Sequence, residues 1–272
     1  MPDWQARTRS WKRPLIGLGV GLLGALLLLT SGGRALGFDG LWAFGFLDYV
    51  KSALRLLMAV LVLIATLPPA QRLVARLGQL RVNLRPWLLI PAAGLIFWLL
   101  RERTFYGDAL LKLELLRTHT LQTDPYVWKE PLDALLGYSA AALARSFGLP
   151  PEMAIAGLSV LAGMVYVAAA LWASRLLGES PGERAVLLTG LLALGSSLLW
   201  FGHVENYSLV TAFSFASVTL ALGYLAGRVP LWLVGLTAGA AVSFHPQALY
   251  TLPALLLLLE RQRWPRQIVI LA

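Results

Sequence analysis

Cysteine is absent from the 272 residues of the chain. The chain therefore has no disulfide framework, no thiolate nucleophile and no cysteine metal site. Charge is also scarce, since 14% of the residues are Asp, Glu, Lys or Arg and 58% are hydrophobic. A soluble fold would have too little polar surface to cover a chain of this composition. The shortage of charge argues against an ordinary soluble domain and favours an integral membrane protein.

Acidic residues are the rarer charged class, with 14 Asp and Glu against 23 Lys and Arg. A basic excess is also typical of nucleic-acid-binding proteins. Here, however, the basic residues lie between long apolar runs, where they orient membrane spans. We therefore expect membrane lipid as a partner and no nucleic acid.

Eight apolar segments are long enough to cross a bilayer, or nearly so, and predict an all-α, polytopic bundle of transmembrane helices. They are Leu15 to Thr30, Leu41 to Leu67, Pro86 to Leu100, Met153 to Leu177, Ala185 to Phe201, Tyr207 to Ala226, Leu231 to Phe244 and Ala248 to Leu259. The first follows a basic cluster and could be a signal peptide, but no cleavage site follows it, so we interpret it as an anchor. The short apolar end, Gln267 to Ala272, suggests a fragment of a longer protein.

A ninth segment, Pro131 to Leu149, decides the topology. If it does not cross, 14 of the 23 basic residues fall in short connections on one side of the membrane, as the positive-inside rule requires. These 14 are Arg7, Arg9, Lys12, Arg13, Arg72, Arg76, Arg81, Arg85, Arg175, Arg184, Arg228, Arg261, Arg263 and Arg266. We therefore predict that Pro131 to Leu149 lies along or dips into the outer leaflet, and that the N-terminus is cytoplasmic.

This topology divides the chain into N-terminal spans (1–100), a large external loop with interfacial helices (101–151) and a second group of spans (152–272). The predicted outer face collects eight of the 14 acids and all three histidines. The acids are Glu102, Asp108, Glu114, Asp124, Glu130, Asp133, Glu152 and Glu205, and the histidines are His119, His203 and His245. Residues from distant parts of the sequence thus meet at one surface, which makes that surface the candidate site.

Several of these residues also have simpler explanations. Asp108 follows Gly107, so it could serve as a helix N-cap, as a catalytic carboxylate, or as both. Glu130 precedes Pro131, where an acid is favoured by the helix dipole. The turn FGHVENY carries His203, Glu205 and Tyr207, although Gly and Asn alone would make a turn. A single histidine such as His245 is more often an interfacial residue than a ligand.

The ordered set of TFYGDALLKLELL, KEPLDALLGYSAAALARSFG and FGHVENYSLV resembles the polytopic membrane glycosyltransferases of the C type. That superfamily includes protein mannosyltransferases and aminoarabinose transferases. The resemblance extends over about Phe97 to Leu259. The chain differs from many members in having two spans before the loop-bearing one, a single Gly-Asp in the loop, and Glu205 where Asp is common.

The resemblance implies a bacterial inner-membrane enzyme of the cell envelope that transfers a sugar from a polyprenyl-phosphate donor to an acceptor at the extracytoplasmic face. It implies an essential acid at Asp108, with Glu130 and Glu205 as further catalytic candidates. For the substrate we predict contacts with Arg103, Lys129, His203, Tyr207 and His245. Asp108 and Glu205 could share Mg²⁺ or Mn²⁺. A transporter or lipid flippase is the alternative function, and the sugar, the acceptor and the oligomeric state stay open.

Overall fold

A computed structural model describes residues 56, 59–60, 63–64, 66–79, 85–103, 108–193, 201–204 and 207–256. The regular structure in these residues is helical, without a strand among them. The chain separates into two compact units, 1–80 and 81–272. The predicted span Leu15 to Thr30, most of Leu41 to Leu67 and the candidate acid Glu205 lie outside the described residues.

In the first unit, helix α1 spans Pro68–Gln79 and is amphipathic. Two prolines open it, where a missing backbone N–H costs no helical hydrogen bond. Arg72 and Arg76 are exposed on it, and Arg72 Nε donates to the Pro68 carbonyl at 3.3 Å. This helix forms part of the connection that the charge pattern assigns to the inner side.

The second unit contains eight further α-helices among its described residues. They are α2 (Leu89–Leu99, preceded by a 3-10 turn over Pro86–Leu88), α3 (Asp108–Thr118), α4 (Pro131–Ser146), α5 (Pro151–Leu177), α6 (Pro181–Leu192), α7 (Tyr207–Leu225), α8 (Leu231–Phe244) and α9 (Leu252–Leu256, preceded by a 3-10 helix over Pro246–Thr251). Prolines at the first position start α4, α5 and α6. Gly148 and Gly227, both with positive φ, end α4 and α7.

Two of these helices, α5 and α7, are long and apolar enough to cross a membrane. With 27 and 19 residues they measure about 40 and 28 Å at ~1.5 Å per residue. Helix α2 with its 3-10 turn, and α8, are apolar but shorter. Helix α4 has 16 residues, about 24 Å, which is less than the ~30 Å hydrocarbon core. This short length supports the prediction that α4 lies at the membrane interface without crossing.

Helix α5 is the centre of the second unit, because α2, α4, α6 and α7 all pack against it, and α8 packs against α7. Small residues on α5 allow this close approach. The ring of Phe97 lies at the position of Gly163, where an added Cβ would come within 2.6 Å of it. The rings of Phe97 and Tyr166 each lie 5.3 Å from that of Phe201. The core thus combines small residues with a few aromatic rings.

Connections that the sequence assigns to the outside meet at one end of the second unit. The Glu102 N–H donates to the Gly202 carbonyl at 3.1 Å, and His245 Nε2 lies 3.4 Å from Glu130 Oε1. Glu152, at the start of α5, lies at this end too, with Arg117 at 3.8 Å. The predicted topology requires this grouping.

Candidate functional site

A cavity of about 200 Å³ lies at this end of the second unit. It is bounded by α3, α4, the connection between them, the start of α7 and the residue after α8. Seven charged or imidazole side chains line it, namely Asp108, Lys112, Asp124, Lys129, Glu130, Asp133 and His245. Five of the eight site residues predicted from the sequence are therefore brought together here: Asp108, Lys129, Glu130, Tyr207 and His245.

The floor of the cavity is held by an ion pair between α3 and α4. Lys112 Nζ donates to both carboxylate oxygens of Asp133, at 2.9 and 2.7 Å. Both side chains are largely buried, with 12% and 8% of their surfaces exposed. Lys112 lies one turn after Asp108, and Asp133 lies one turn after Glu130, so the pair fixes the relative position of the two helices that carry the candidate acids.

Asp124 has a structural role in the connection between α3 and α4. Its Oδ1 accepts the Tyr126 N–H at 2.7 Å, the local bond of an Asx turn. Its Oδ2 accepts the Tyr138 hydroxyl at 3.0 Å. Burial and this hydrogen bond raise the pKa of Tyr138. Because both of its carboxylate oxygens accept hydrogen bonds, Asp124 has a structural role in the cavity wall. Asp108 and Glu130 are therefore the acids that we consider for proton transfer.

Glu130 is buried, with 7% of its surface exposed. Its pKa is raised, first by burial and then by the negative charge of Asp133. Lys112 and Lys129 oppose this shift, and Asp108 adds to it. Glu130 is the N-cap residue of α4, but its side chain makes no capping hydrogen bond there. The carboxyl group lines the cavity at the start of α4, where the helix dipole favours an acid.

His245 approaches Glu130 from the end of α8. Its Nε2 lies 3.4 Å from Glu130 Oε1, and its ring packs on that of Tyr207, with centroids 5.3 Å apart. Burial, followed by the positive charge of Lys129, lowers the pKa of His245. Both effects keep the imidazole neutral at neutral pH.

Asp108 differs from the other acids that line the cavity in being exposed. It is the first residue of α3, one position inside the N-cap predicted from the sequence. Among the described residues, none bonds to its carboxylate. Lys129 is likewise exposed at the rim. An exposed carboxylate and an exposed ammonium group at one mouth can both reach a bound molecule.

Tyr207 also lines a second, more apolar groove of about 470 Å³. One face of α7 forms a wall of this groove through Val210, Thr211, Ser214 and Val218. Gln247 and Thr251 of the 3-10 helix and Tyr166 of α5 also line it. The groove extends about three turns along a helix long enough to span a membrane. A polar cavity and an apolar groove thus share one residue, Tyr207.

Three predicted site residues are not among those that line the cavity. Arg103 is exposed at the end of the described α2 segment. His203 lies beside Glu102, with Nδ1 3.9 Å from Oε2. Glu205 lies outside the described residues.

Glu102 is a residue whose role the sequence reading missed. Its Oε2 accepts the Val204 N–H at 3.1 Å, and Ser159 Oγ of α5 accepts the Gly202 N–H at 2.9 Å. Gly202 has φ +91°, and a Cβ there would meet the Phe97 carbonyl oxygen at 2.5 Å. Hydrogen bonds to its backbone N–H groups therefore hold the turn FGHV in place. Glycine is required at position 202 because the positive φ and the nearby Phe97 carbonyl oxygen disfavour any side chain.

Lys112, Asp124, Asp133 and Tyr138 are further cavity residues outside the predicted set. The sequence held one usable signal for the ion pair. Lys112 lies among leucines on a helix of alternating charge, a pattern that indicates a buried acidic partner for the lysine. Which acid it meets depends on how α3 packs on α4, and spacing within one helix does not encode that.

No group of three or more His, Asp or Glu able to hold a metal ion occurs among the described residues. The predicted Mg²⁺ or Mn²⁺ site needs Glu205, which is outside them, so it stays a prediction.

Comparison with the models of known protein families, with curated proteins and with solved structures finds no match to this chain. The resemblance to C-type glycosyltransferases therefore depends on the residues quoted above, and the function has to be argued from the cavity and its groove.

Proposed function

We propose that the chain is a membrane glycosyltransferase, embedded in a bacterial inner membrane, that transfers a sugar from a polyprenyl-phosphate donor to an acceptor at the extracytoplasmic face. The observation that carries this proposal is that Tyr207 lines both the polar cavity and the apolar groove, so the two lie side by side. An amphiphilic substrate needs both environments within one molecular length. The groove suits a prenyl chain, and the cavity suits a phosphate and a sugar.

The charged groups at the rim suit the two ends of the reaction. Lys129 supplies the positive charge that a donor phosphate requires. Asp108, exposed on the first turn of α3, is the group that we assign as general base for the acceptor hydroxyl. In the reaction the bond between the sugar C1 and the phosphate oxygen breaks, a bond from C1 to the acceptor oxygen forms, and the acceptor proton passes to Asp108.

The transporter or flippase alternative predicts ionisable groups near the middle of the spanning helices. The charged residues of α5 are Glu152 and Arg175, near its two ends, and α7 has none. The polar cavity lies instead at one end of the helices. This distribution favours chemistry at a membrane surface over passage through the membrane.

The test is turnover of a polyprenyl-phosphoryl sugar by the full chain reconstituted in proteoliposomes. A panel of donors differing in the sugar is used, and release of polyprenyl phosphate is measured. We expect Asp108→Asn to lower turnover about 10²-fold or more, because the amide cannot accept the proton, while unfolding is little changed. Glu114→Gln, an exposed acid on the same helix outside the cavity lining, is the matched control and should keep parental turnover. Parental turnover by Asp108→Asn would contradict the assignment, and failure of every donor to turn over or bind would contradict the function.

Sidedness is tested separately by cysteine labelling, for which the absence of native cysteine is convenient. Cysteines at Thr120 and Arg228, both exposed, should react with a membrane-impermeant reagent from outside and from inside, respectively. The reverse pattern would place the cavity in the cytoplasm and overturn the extracytoplasmic part of the proposal.

A further inference from the structure

The tautomer of His245 follows from its position at the start of a 3-10 helix. His245 caps the helix over Pro246–Thr251, and its Nδ1 accepts the Gln247 N–H at 3.1 Å. An atom that accepts a hydrogen bond in this way carries no proton, so the neutral imidazole holds its proton on Nε2. Protonation of Nδ1 would also turn two N–H groups towards each other. The backbone therefore fixes His245 as a neutral Nε2–H donor.

That donor lies beside Glu130. Nε2 is 3.4 Å from Glu130 Oε1, and contacts of this length often tighten to hydrogen bonds when substrate binds. Glu130 Oε1 therefore has a neutral imidazole ring beside it.

The charges around Glu130 favour its acid form. Asp133 and Asp108 act on it as negative charges. Lys112 acts in the opposite sense, but its ammonium group is already bonded to both oxygens of Asp133. Lys129 is exposed at the rim, where water screens its charge. His245, a further neighbour, stays neutral because its Nδ1 accepts the Gln247 N–H.

We propose that Glu130 is the general acid of the transfer, donating its carboxyl proton to the departing phosphate, and that His245 is a residue that positions it. The inference rests on the proposed function. It divides the work between two carboxyl groups, with exposed Asp108 accepting the acceptor proton and buried Glu130 supplying one to the leaving group. The sugar C1 to phosphate oxygen bond breaks with its electron pair going to the phosphate, which takes the Glu130 proton. Exchange with water through the mouth then resets both acids.

The first arm of the test needs no turnover. The chain has three histidines, so the ¹⁵N resonances of labelled protein can be assigned with His119→Gln and His203→Gln. We expect His245 to show the Nε2–H tautomer and to stay neutral at pH values where an ordinary histidine is protonated. Glu130→Gln should shift its Nε2 resonance. An Nδ1–H tautomer, or a resonance that Glu130→Gln leaves unmoved, would overturn the pair.

The second arm follows donor turnover against pH. The parental rate should fall as pH rises through the pKa of Glu130, and Glu130→Gln should remove this limb and lower the rate about 10²-fold. His245→Ala should move the limb and lower the rate, whereas His245→Gln, whose amide reaches the Nε2 position, should restore most of it. A merely structural role would give parallel losses without a change in the pH limb. An unchanged limb in Glu130→Gln overturns the inference.

The two proposals fail in different ways. If Asp108→Asn is inactive and Glu130→Gln keeps the parental rate and limb, the function stands and the general-acid role falls. If no donor turns over or binds while the His245 resonances behave as expected, the contact between His245 and Glu130 is present but the glycosyltransferase function is wrong. The general-acid role is then wrong as well.

Discussion

Helices α3 and α4 are joined by polar side chains in addition to an apolar cluster, whereas α5 meets its neighbours mainly through small and apolar side chains. Between α3 and α4, Lys112 bonds both oxygens of buried Asp133, and Tyr138 bonds Asp124. On α5, the buried residues are mostly Ala, Gly, Val and Ile, with Ser159 as one polar exception bonded to Ser208 at 2.7 Å. The two neighbouring regions thus differ in the kind of side-chain contact that holds their helices together.

The contrast separates scaffold from chemistry. A core of small apolar residues positions helices without charges, which suits segments that cross a membrane. A buried ion pair costs desolvation that its attraction only partly offsets. The α3–α4 region therefore retains charged residues at some expense to stability. We interpret this loss of stability as a consequence of holding Asp108 and Glu130 at fixed positions.

The largest effect that would test this contrast is removal of one partner of the ion pair. Lys112→Met leaves the buried Asp133 carboxylate without its donor, so we expect the free energy of unfolding to fall by about 3–5 kcal/mol. Denaturant titration of the detergent-solubilised protein measures it.

The double variant Lys112→Met with Asp133→Leu is the control for that prediction. It replaces both charges by apolar groups, so it should regain most of the stability and still lose activity if the pair serves the site. A double variant as unstable as the single one would show that the ion pair is needed for packing itself.

An intermediate effect is expected in the apolar core. Gly163→Ala places a methyl group within 2.6 Å of the Phe97 ring, so we expect a loss of about 1–3 kcal/mol from overpacking. Gly157→Ala, on the same helix with open space around its Cβ position, is the matched control and should leave stability unchanged or slightly raised. Equal behaviour of the two variants in denaturant titration would contradict the close packing of α2 on α5.

The sequence was informative where one segment decides the structure. Apolar runs bounded by charge and proline predicted α8 with the same bounds, Leu231 to Phe244, and α7 to within one residue at its end. The charge pattern grouped Asp108, Lys129, Glu130 and His245 on one face, and the structure brings these four to one cavity.

The sequence was uninformative where two segments must be matched. The pairing of Lys112 with Asp133 depends on the packing of α3 on α4, and that of Glu102 with the Val204 N–H joins residues 102 positions apart. Neither pairing leaves a spacing signal in one helix. The tautomer of His245 was also hidden, because it depends on whether the Gln247 N–H turns back to the ring.

The smallest effect expected is the stability of Glu130→Gln, and it asks whether the polar region sacrifices stability for chemistry. The pKa of Glu130 is raised by burial and by Asp133, so the folded protein binds the Glu130 proton more tightly than the unfolded chain. Parental stability should therefore fall as pH rises, starting near the ordinary value of 4.5 and ending above the raised pKa.

Glu130→Gln keeps the shape and an oxygen that can accept from His245, but it has no proton to lose. At pH 8 it should be at least as stable as the parental protein, and that advantage should shrink as pH falls through the raised pKa and be lost below 4.5. His245, whose own lowered pKa makes both proteins less stable in acid below its ordinary value of 6.5, is present in both and largely cancels in the difference. Thermal unfolding of the two proteins in detergent between pH 4 and pH 8 measures it. A variant less stable than the parental protein at pH 8 would mean that the Glu130 carboxylate holds the fold, and the separation between scaffold and chemistry would fail at its central residue.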